Sequence, residues 1–190
     1  MSRRKSIVAI LVILLMMPLL AISRTTVAAP KHHQIIRAYI APIKCHCKDS
    51  EIDHGAVHIV YDDGQDQQVT KYTNALKVQV ADDNQTVAWT VGTHINTAHP
   101  DIEAPSIDDI MLATKLVIYK DHKVIQKIDG GWLVRGWKLL PGSQQVALEL
   151  GALHFAGTMA LYNIGEREPV EIIDEANQPR PFPTWTKGLW

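Results

Sequence analysis

The chain repeats itself, and the repeat limits the folds open to it. Residues 78–92, VQVADDNQTVAWTVG, lie without a gap on residues 137–151, WKLLPGSQQVALELG, when shifted by 59 positions. Gln85 meets Gln144, Val87 meets Val146, Ala88 meets Ala147 and Gly92 meets Gly151. The polar turn residues DDNQ and PGSQ fall in the same columns. Each copy reads as strand, tight turn, strand. A unit of this kind cannot bury both of its faces alone, so each copy needs a neighbour.

The echo continues beyond the matched segments. LVIYKDHKVIQKID (116–129) follows the first copy, MALYNIGEREPVEIID (159–174) follows the second, and HIVYDDGQDQQVTK (58–71) precedes the first. Each is an apolar run ending in tyrosine (Tyr61, Tyr119, Tyr162), a polar turn, and a second apolar run, the pattern of an outer hairpin. The spacing between the tyrosines is 58 and then 43 residues, because a stretch is inserted between Gly92 and Leu116. Leu76, Val78 and Val80 alternate with polar residues, and no long stretch beyond the N-terminus carries a period of 3.6. The domain is therefore expected to be mainly β, built of antiparallel meanders. Residues 35–40 read as a first strand broken by Pro42. Residues 57–61 read as a strand that turns at Asp62-Asp63-Gly64 and returns over 69–72. Residues 93–114 read as a long loop whose one regular stretch is a short helix over 107–112. Residues 132–140 read as a strand. The proline- and tryptophan-rich tail, 177–190, is expected to pack Trp185 and Trp190 back on the body.

Within this pattern VADDNQTVAW (80–89) resembles the SPDG-x-x-[IVL]-A-[FW] strand-turn-strand of the TolB-like and WD40-like β-propeller families. Leu161-Tyr162 and Val170 resemble the LY-x-x-D hairpin that follows it there. The resemblance covers residues 57–174. It implies four-stranded antiparallel meanders in blade-like repeats, with units over 57–75, 76–130 and 131–176. Ala81 stands where those families have serine, and about two and a half units are visible where a closed ring needs ~4. An open stack of blades, a β-sandwich of similar meanders, or a share of a larger assembly all fit this pattern.

The first 29 residues read as an address. Arg3, Arg4 and Lys5 precede a 16-residue apolar run, 7–22, and small residues follow in Thr26-Val27-Ala28-Ala29. This is a secretory signal peptide pattern with cleavage expected near Ala28 or Ala29. The run is short for a membrane span, which needs ~20 residues. An uncleaved anchor is the alternative, and either places the domain in the periplasm or outside the cell. The remaining residues suffice for one domain with its own core. A net charge of −1 gives no electrostatic case for nucleic acid or an anionic membrane.

Three constellations carry ligand-type residues. Cys45, His46 and Cys47 stand together, with His32, His33, His54 and His58 near them in sequence. Thiolates and imidazoles suit Cu(I) or Zn, which makes this trio the candidate metal site and Cu or Zn the candidate cofactor. Zinc sites ordinarily add a second ligand pair at a distance. Export favours oxidised thiols, so a strained Cys45–Cys47 disulfide is a second reading, and unpaired or intermolecular thiols a third. Next, the insertion holds His94, His99, Asp101, Glu103, Asp108 and Asp109. Loops on rigid scaffolds carry binding sites, so His94, His99, Asp108 and Asp109 are candidates for a divalent cation or a basic partner, with a solvated acidic loop as the alternative. Finally, Gly151 and Gly157 bracket His154 and allow a sharp turn that presents the imidazole as a base or hydrogen-bond donor, or as the cap of a tight turn.

Enzyme signatures are missing from these residues. Beyond the leader the serines are Ser50, Ser106 and Ser143, none in a G-x-S-x-G elbow, and no phosphate-cradling loop is present. Glu149, Asp109 and Glu103 would serve glycoside hydrolysis only if the fold brought them together. The expected function is an exported, non-catalytic binding protein whose partner is a protein or envelope component. Membrane contact is expected only through an uncleaved leader, and a homodimer would supply missing units. A metal-handling protein using Cys45, His46 and Cys47, or a hydrolase with a site between the insertion and the His154 turn, are the alternatives.

Overall fold

The structure, a computed structural model, describes residues 33–42, 54–72, 74–95, 110–152, 156–177 and 180–189. Eleven strands follow one another: β1 (Ile35–Pro42), β2 (Gly55–Tyr61), β3 (Asp66–Gln68), β4 (Ala75–Val80), β5 (Thr86–Ile95), β6 (Ile110–Lys120), β7 (Lys123–Asp129), β8 (Val134–Leu139), β9 (Gln145–Leu150), β10 (Thr158–Asn163) and β11 (Pro169–Asp174). One 3-10 turn, Thr184–Thr186, lies in the tail. The protein is mainly β, and every pairing is antiparallel between near neighbours in sequence. One sheet runs β1-β2-β4-β5-β6-β7 with β3 on β2, and the other runs β11-β10-β9-β8. No helix among the described residues is long and apolar enough to cross a membrane.

The 59-residue echo is reproduced bond by bond. Ala81 N donates to Thr86 O and Leu140 N to Gln145 O, both at 2.9 Å; Asn84 N donates to Ala81 O and Ser143 N to Leu140 O, both at 3.1 Å. Asn84 and Ser143, which share a column, both take positive φ, 52° and 55°. Asn tolerates the left-handed region at a turn, and serine is held to it here by the same two bonds. Gly92 N donates to Asn74 O, and Gly151 N to Leu133 O, again 59 positions on.

Alternation along each strand sends side chains to opposite faces, and both faces of the middle strands are covered. Val87, Trp89, Val117 and Tyr119 of β5 and β6 pack with Ile35, Val57, Ile59 and Tyr61 of β1 and β2. Ala88, Leu116 and Ile118, on the opposite face, pack with Val134, Trp137, Leu139, Val146 and Leu148 of β8 and β9. The β1–β2 hairpin is bonded to β4 through the single pair Gly55↔Ala75, so the long sheet folds back on itself and lays β1–β2 over β5–β6. Three layers result. The far face of the third holds Ala147, Met159, Leu161 and Ile173, and the tail covers it with Phe182, Trp185 and Leu189. Trp185 also donates Nε1–H to Glu171 Oε2 at 2.8 Å. Burial of each such Val, Leu or Ile stabilises by roughly 1.5–3 kcal/mol.

Polar contacts hold the second and third layers in register. Leu139 N donates to Gln79 Oε1 at 3.3 Å, Asp83 N to Ser143 Oγ at 3.0 Å, and the Lys77 ammonium lies over the Trp137 ring at 5.2 Å. Asp83 is the centre of this seam. Its Oδ1 accepts from Gln85 N and Thr86 N, and its Oδ2 from Thr86 Oγ1 and Lys120 Nζ, at 2.7–3.1 Å.

Several local expectations are corrected. The return strand after Tyr61 is β3, Asp66–Gln68, rather than 69–72. Gly64 N to Tyr61 O and Tyr61 N to Gln65 O close the hairpin at once, and turn length sets the register. The 110–112 part of the expected helix is strand, because Ile110 and Met111 pair with Ile95 and His94. The insertion therefore begins as a prolonged β5–β6 hairpin; residues 96–109 lie outside the described set. Pro42 does not stop β1 short, since it pairs with Gly55 at the strand end. Trp185 packs on the body, as expected, whereas Trp190 lies outside the described residues.

Burial pushes the Asp83 carboxyl up, but the bonds from Gln85, Thr86 and Lys120 outweigh it and hold the group below its ordinary 3.8. Asp83→Ala is expected to cost about 2–3 kcal/mol in urea unfolding at neutral pH. A depressed carboxylate contributes stability above its unfolded pKa and loses it as pH falls through the folded value. The gap between variant and wild type should therefore be full above 3.8 and close below it.

Candidate functional site

The third layer carries charge where the second carries none. Val134 pairs with Leu150 and Gly136 with Glu149, so Arg135 is an extra residue in β8, a bulge. Bulges re-aim a side chain out of the ladder. The same irregularity occurs 59 positions earlier, where Ala75 pairs with Val91 and Lys77 with Thr90, leaving Leu76 as the extra residue. Leu76 and Thr90 of the first copy are thus Arg135 and Glu149 of the second.

Arg135 Nη2 lies 2.7 Å from Glu149 Oε1, and Nη1 lies 3.9 Å from Glu175 Oε2. Glu149 has a side chain only 4% exposed. Burial pushes its carboxyl up, Arg135 pulls it down, and Glu175 pushes it up again, with a net rise. Glu175 Oε2 also accepts from Gly157 N at 2.7 Å. Gly157 tolerates no side chain, since a Cβ would stand 2.5 Å from Leu150 O and 2.9 Å from Arg135 Nη1. At Gly151 a Cβ would meet Gly157 Cα at 3.0 Å. The two glycines that bracket His154 in sequence are therefore pressed together beside the Arg135 guanidinium. His154 itself lies outside the described residues.

Above this network opens a cleft of about 350 Å³ lined by Arg135, Glu149, Ala156, Glu175, Arg180 and Phe182. Its far wall comes from the tail, whose approach depends on Gly136: a Cβ there would stand 1.9 Å from Leu189 O. Arg180 lies over the Phe182 ring, its guanidinium carbon 5.2 Å from the centroid. It has no carboxylate within 4.0 Å among the described residues.

The other sequence candidates are dispersed or lie elsewhere. His94 belongs to β5, paired with Met111. Cys45, His46, Cys47, His99, Asp108 and Asp109, with Asp101 and Glu103, lie outside the described residues. His32 also lies outside the described residues, and the described histidines flanking the cysteines in sequence, His33, His54 and His58, do not converge. His33 precedes β1 beside Asp62, at the Tyr61 end of β2, whereas His54 precedes Gly55 at the other end, some ~20 Å along the strand. His58 stacks on Tyr39, ring centroids 5.2 Å apart, and its Nδ1 lies 2.9 Å from Asp66 Oδ1 while the Tyr39 hydroxyl donates to Asp66 Oδ2 at 2.7 Å. Tyr39 and then His58 hold the Asp66 carboxyl below its usual range. Of the carboxylates considered for glycoside hydrolysis, Glu149 is committed to Arg135. Arg135 lies inside the strand expected over 132–140, and its signal in the sequence is the disagreement of columns 76/135 and 90/149, where charge replaces Leu76 and Thr90.

No protein-family model matches the chain, and no curated protein matches it significantly. Among solved structures, an acylaminoacyl peptidase of Pyrococcus horikoshii is similar over 61% of this chain and 21% of its own, with 11% identity and a TM-score of 0.38. The chain thus spans about a fifth of that protein's length.

Arg135→Ala removes the cation from a buried carboxylate. The usual cost is about 3–5 kcal/mol, reduced here to about 2–3 kcal/mol because the Arg135 side chain is 29% exposed. Glu149 is raised above its ordinary 4.5 even beside Arg135, so relative to the unfolded chain the fold disfavours the carboxylate, and loss of the cation disfavours it further. The deficit should be largest above the raised value and shrink as pH falls through it, read by urea unfolding from roughly pH 4 to 8.

Proposed function

We propose that this is an exported, non-catalytic binding protein of blade-like repeat type, and that its cleft takes a carboxylate of the ligand. The observation that carries the reading is Arg180, placed over Phe182 at the cleft and without a carboxylate partner among the described residues. Contact of the cation with the aromatic ring uses none of its fork of donors and leaves them for a planar anion. Arg135 is already shared between Glu149 and Glu175, so it shapes the floor rather than competing for the ligand. A volume of about 350 Å³ is at the small end of ligand pockets and suits one side chain or chain terminus. The leader supports export, and a protein or envelope component with an accessible carboxylate is the corresponding partner.

N-acetylphenylalanine and its amide serve as probes, read by amide NMR shifts. The acid is expected to shift Arg135, Ala156, Glu175 and Arg180 saturably, with affinity of order millimolar, and the amide is not. Arg180→Ala should weaken acid binding by about 10- to 100-fold, the worth of one charge-assisted bond. Equal shifts with acid and amide, or an unchanged response in the variant, would overturn the reading.

A further inference from the structure

The first layer holds a second group of converging side chains, at the end where the described chain begins. His33 stands just before β1, and Asp62-Asp63 form the turn after β2. Pairing of Ile35 with Tyr61 brings the two together across 29 residues, and Asp62 N donates to Gln34 O at 2.9 Å. His33 Nδ1 is 3.2 Å from Asp62 Oδ1 and 3.5 Å from Asp63 Oδ2, and all three donor atoms lie within 4.8 Å of one another.

We propose that His33, Asp62 and Asp63 bind a divalent cation of the zinc class. The distances carry the argument. Zinc holds imidazole nitrogen and carboxylate oxygen at about 2.0–2.2 Å, which sets neighbouring donors of a tetrahedron roughly 3.3 Å apart. Both His33 separations fall close to that edge length, and the two carboxylate oxygens lie within 4.8 Å of each other, within reach of a common ion. One imidazole with two carboxylates suits zinc better than calcium, which collects 6–8 oxygens. The outer contacts also aim the donors. Asp63 Oδ1 accepts from Gln65 N at 2.9 Å, which turns Oδ2 toward His33.

A second feature lies against the same imidazole. His33 lines a small cavity with Tyr61, Gln85, Tyr119, Asp121 and His122. Asp121 and His122 form the two-residue β6–β7 turn, both at positive φ, 49° and 60°. Tyr61 fixes the His122 ring, stacking at 5.3 Å with its hydroxyl 3.3 Å from Nδ1. Of the three donor residues only His33 borders this cavity, whose volume of about 20 Å³ gives room there for one water as a further ligand. The ion would fasten the segment ahead of β1 to the first layer. This site is separate from the cleft and does not depend on the carboxylate reading.

The test uses the full exported chain with Cys45→Ser and Cys47→Ser, so that thiols take no metal. Zinc chloride is titrated by calorimetry, and amide NMR locates the ion. The expected result is one equivalent of zinc, shifts at His33, Asp62 and Asp63, and loss of uptake in His33→Ala and in Asp62→Asn/Asp63→Asn, while calcium at the same concentration leaves those resonances in place. His33→Gln, of similar size, is the second variant, and metal-free melting verifies the fold of each. No zinc uptake, uptake unchanged by the histidine variants, or equal occupancy by calcium would overturn the proposal.

Discussion

Burial of β5 and β6 on both faces is the constraint on which the rest of the molecule depends. Thr86 through Thr90 and Leu116 through Tyr119 are buried without a break. Strands of that kind satisfy their backbone only within a sheet and their side chains only between two others. The first layer must fold back over one face, and this is why a single pair, Gly55↔Ala75, joins β2 to β4 where a flat sheet would have a full ladder. The third layer must cover the other face. Having done so it exposes a face of its own, with Met159, Leu161 and Ile173, and the irregular tail closes it. The sequence of layers ends where a segment too rich in proline to pair as a strand can still supply Phe182, Trp185 and Leu189.

The same constraint explains how much of this fold could be read without coordinates. Doubly buried strands are dense in apolar residues, and a second copy built for the same environment keeps its turn chemistry. The 59-residue match therefore identified β4–β5 and β8–β9 together with their turns, in which the structure adds that Asn84 and Ser143 are both left-handed. It was least informative at the edges. Asp66-Gln67-Gln68 is strand because the turn closes at Gln65, and an outer edge needs no apolar residue there. Residues 110–112 are apolar in a row, which helix and strand share. Their partners Ile95 and His94 decided between the two, and nothing local announced that pairing.

The two proposed sites differ in the same way. His33 and Asp62 are distant in sequence and become neighbours only through the β1–β2 register, so reading along the chain grouped His33 with the nearer cysteines instead. Arg135 and Glu149 were within reach, because they occupy known columns of the repeat. Glu149 stood out only as one carboxylate among three, and Arg135 lies inside an apolar strand pattern, so nothing along the chain pairs them.

Those two columns carry the more general point. Leu76 and Thr90 show what the bulge and its partner strand need for packing alone, since Thr90 is 2% exposed and bears no charge. Replacing a buried ion pair by such residues is often neutral or stabilising. Stability therefore gives no reason for Arg135 and Glu149 in the second copy. The glycines around them point the same way: Gly136 admits the tail, and Gly157 admits the guanidinium, each at a distance no side chain would allow. In a structure whose copies agree down to single hydrogen bonds, a buried charge pair in one copy, with the backbone cleared to receive it, is the place where the repeat has departed from packing, and it lies in the cleft for which we propose a ligand.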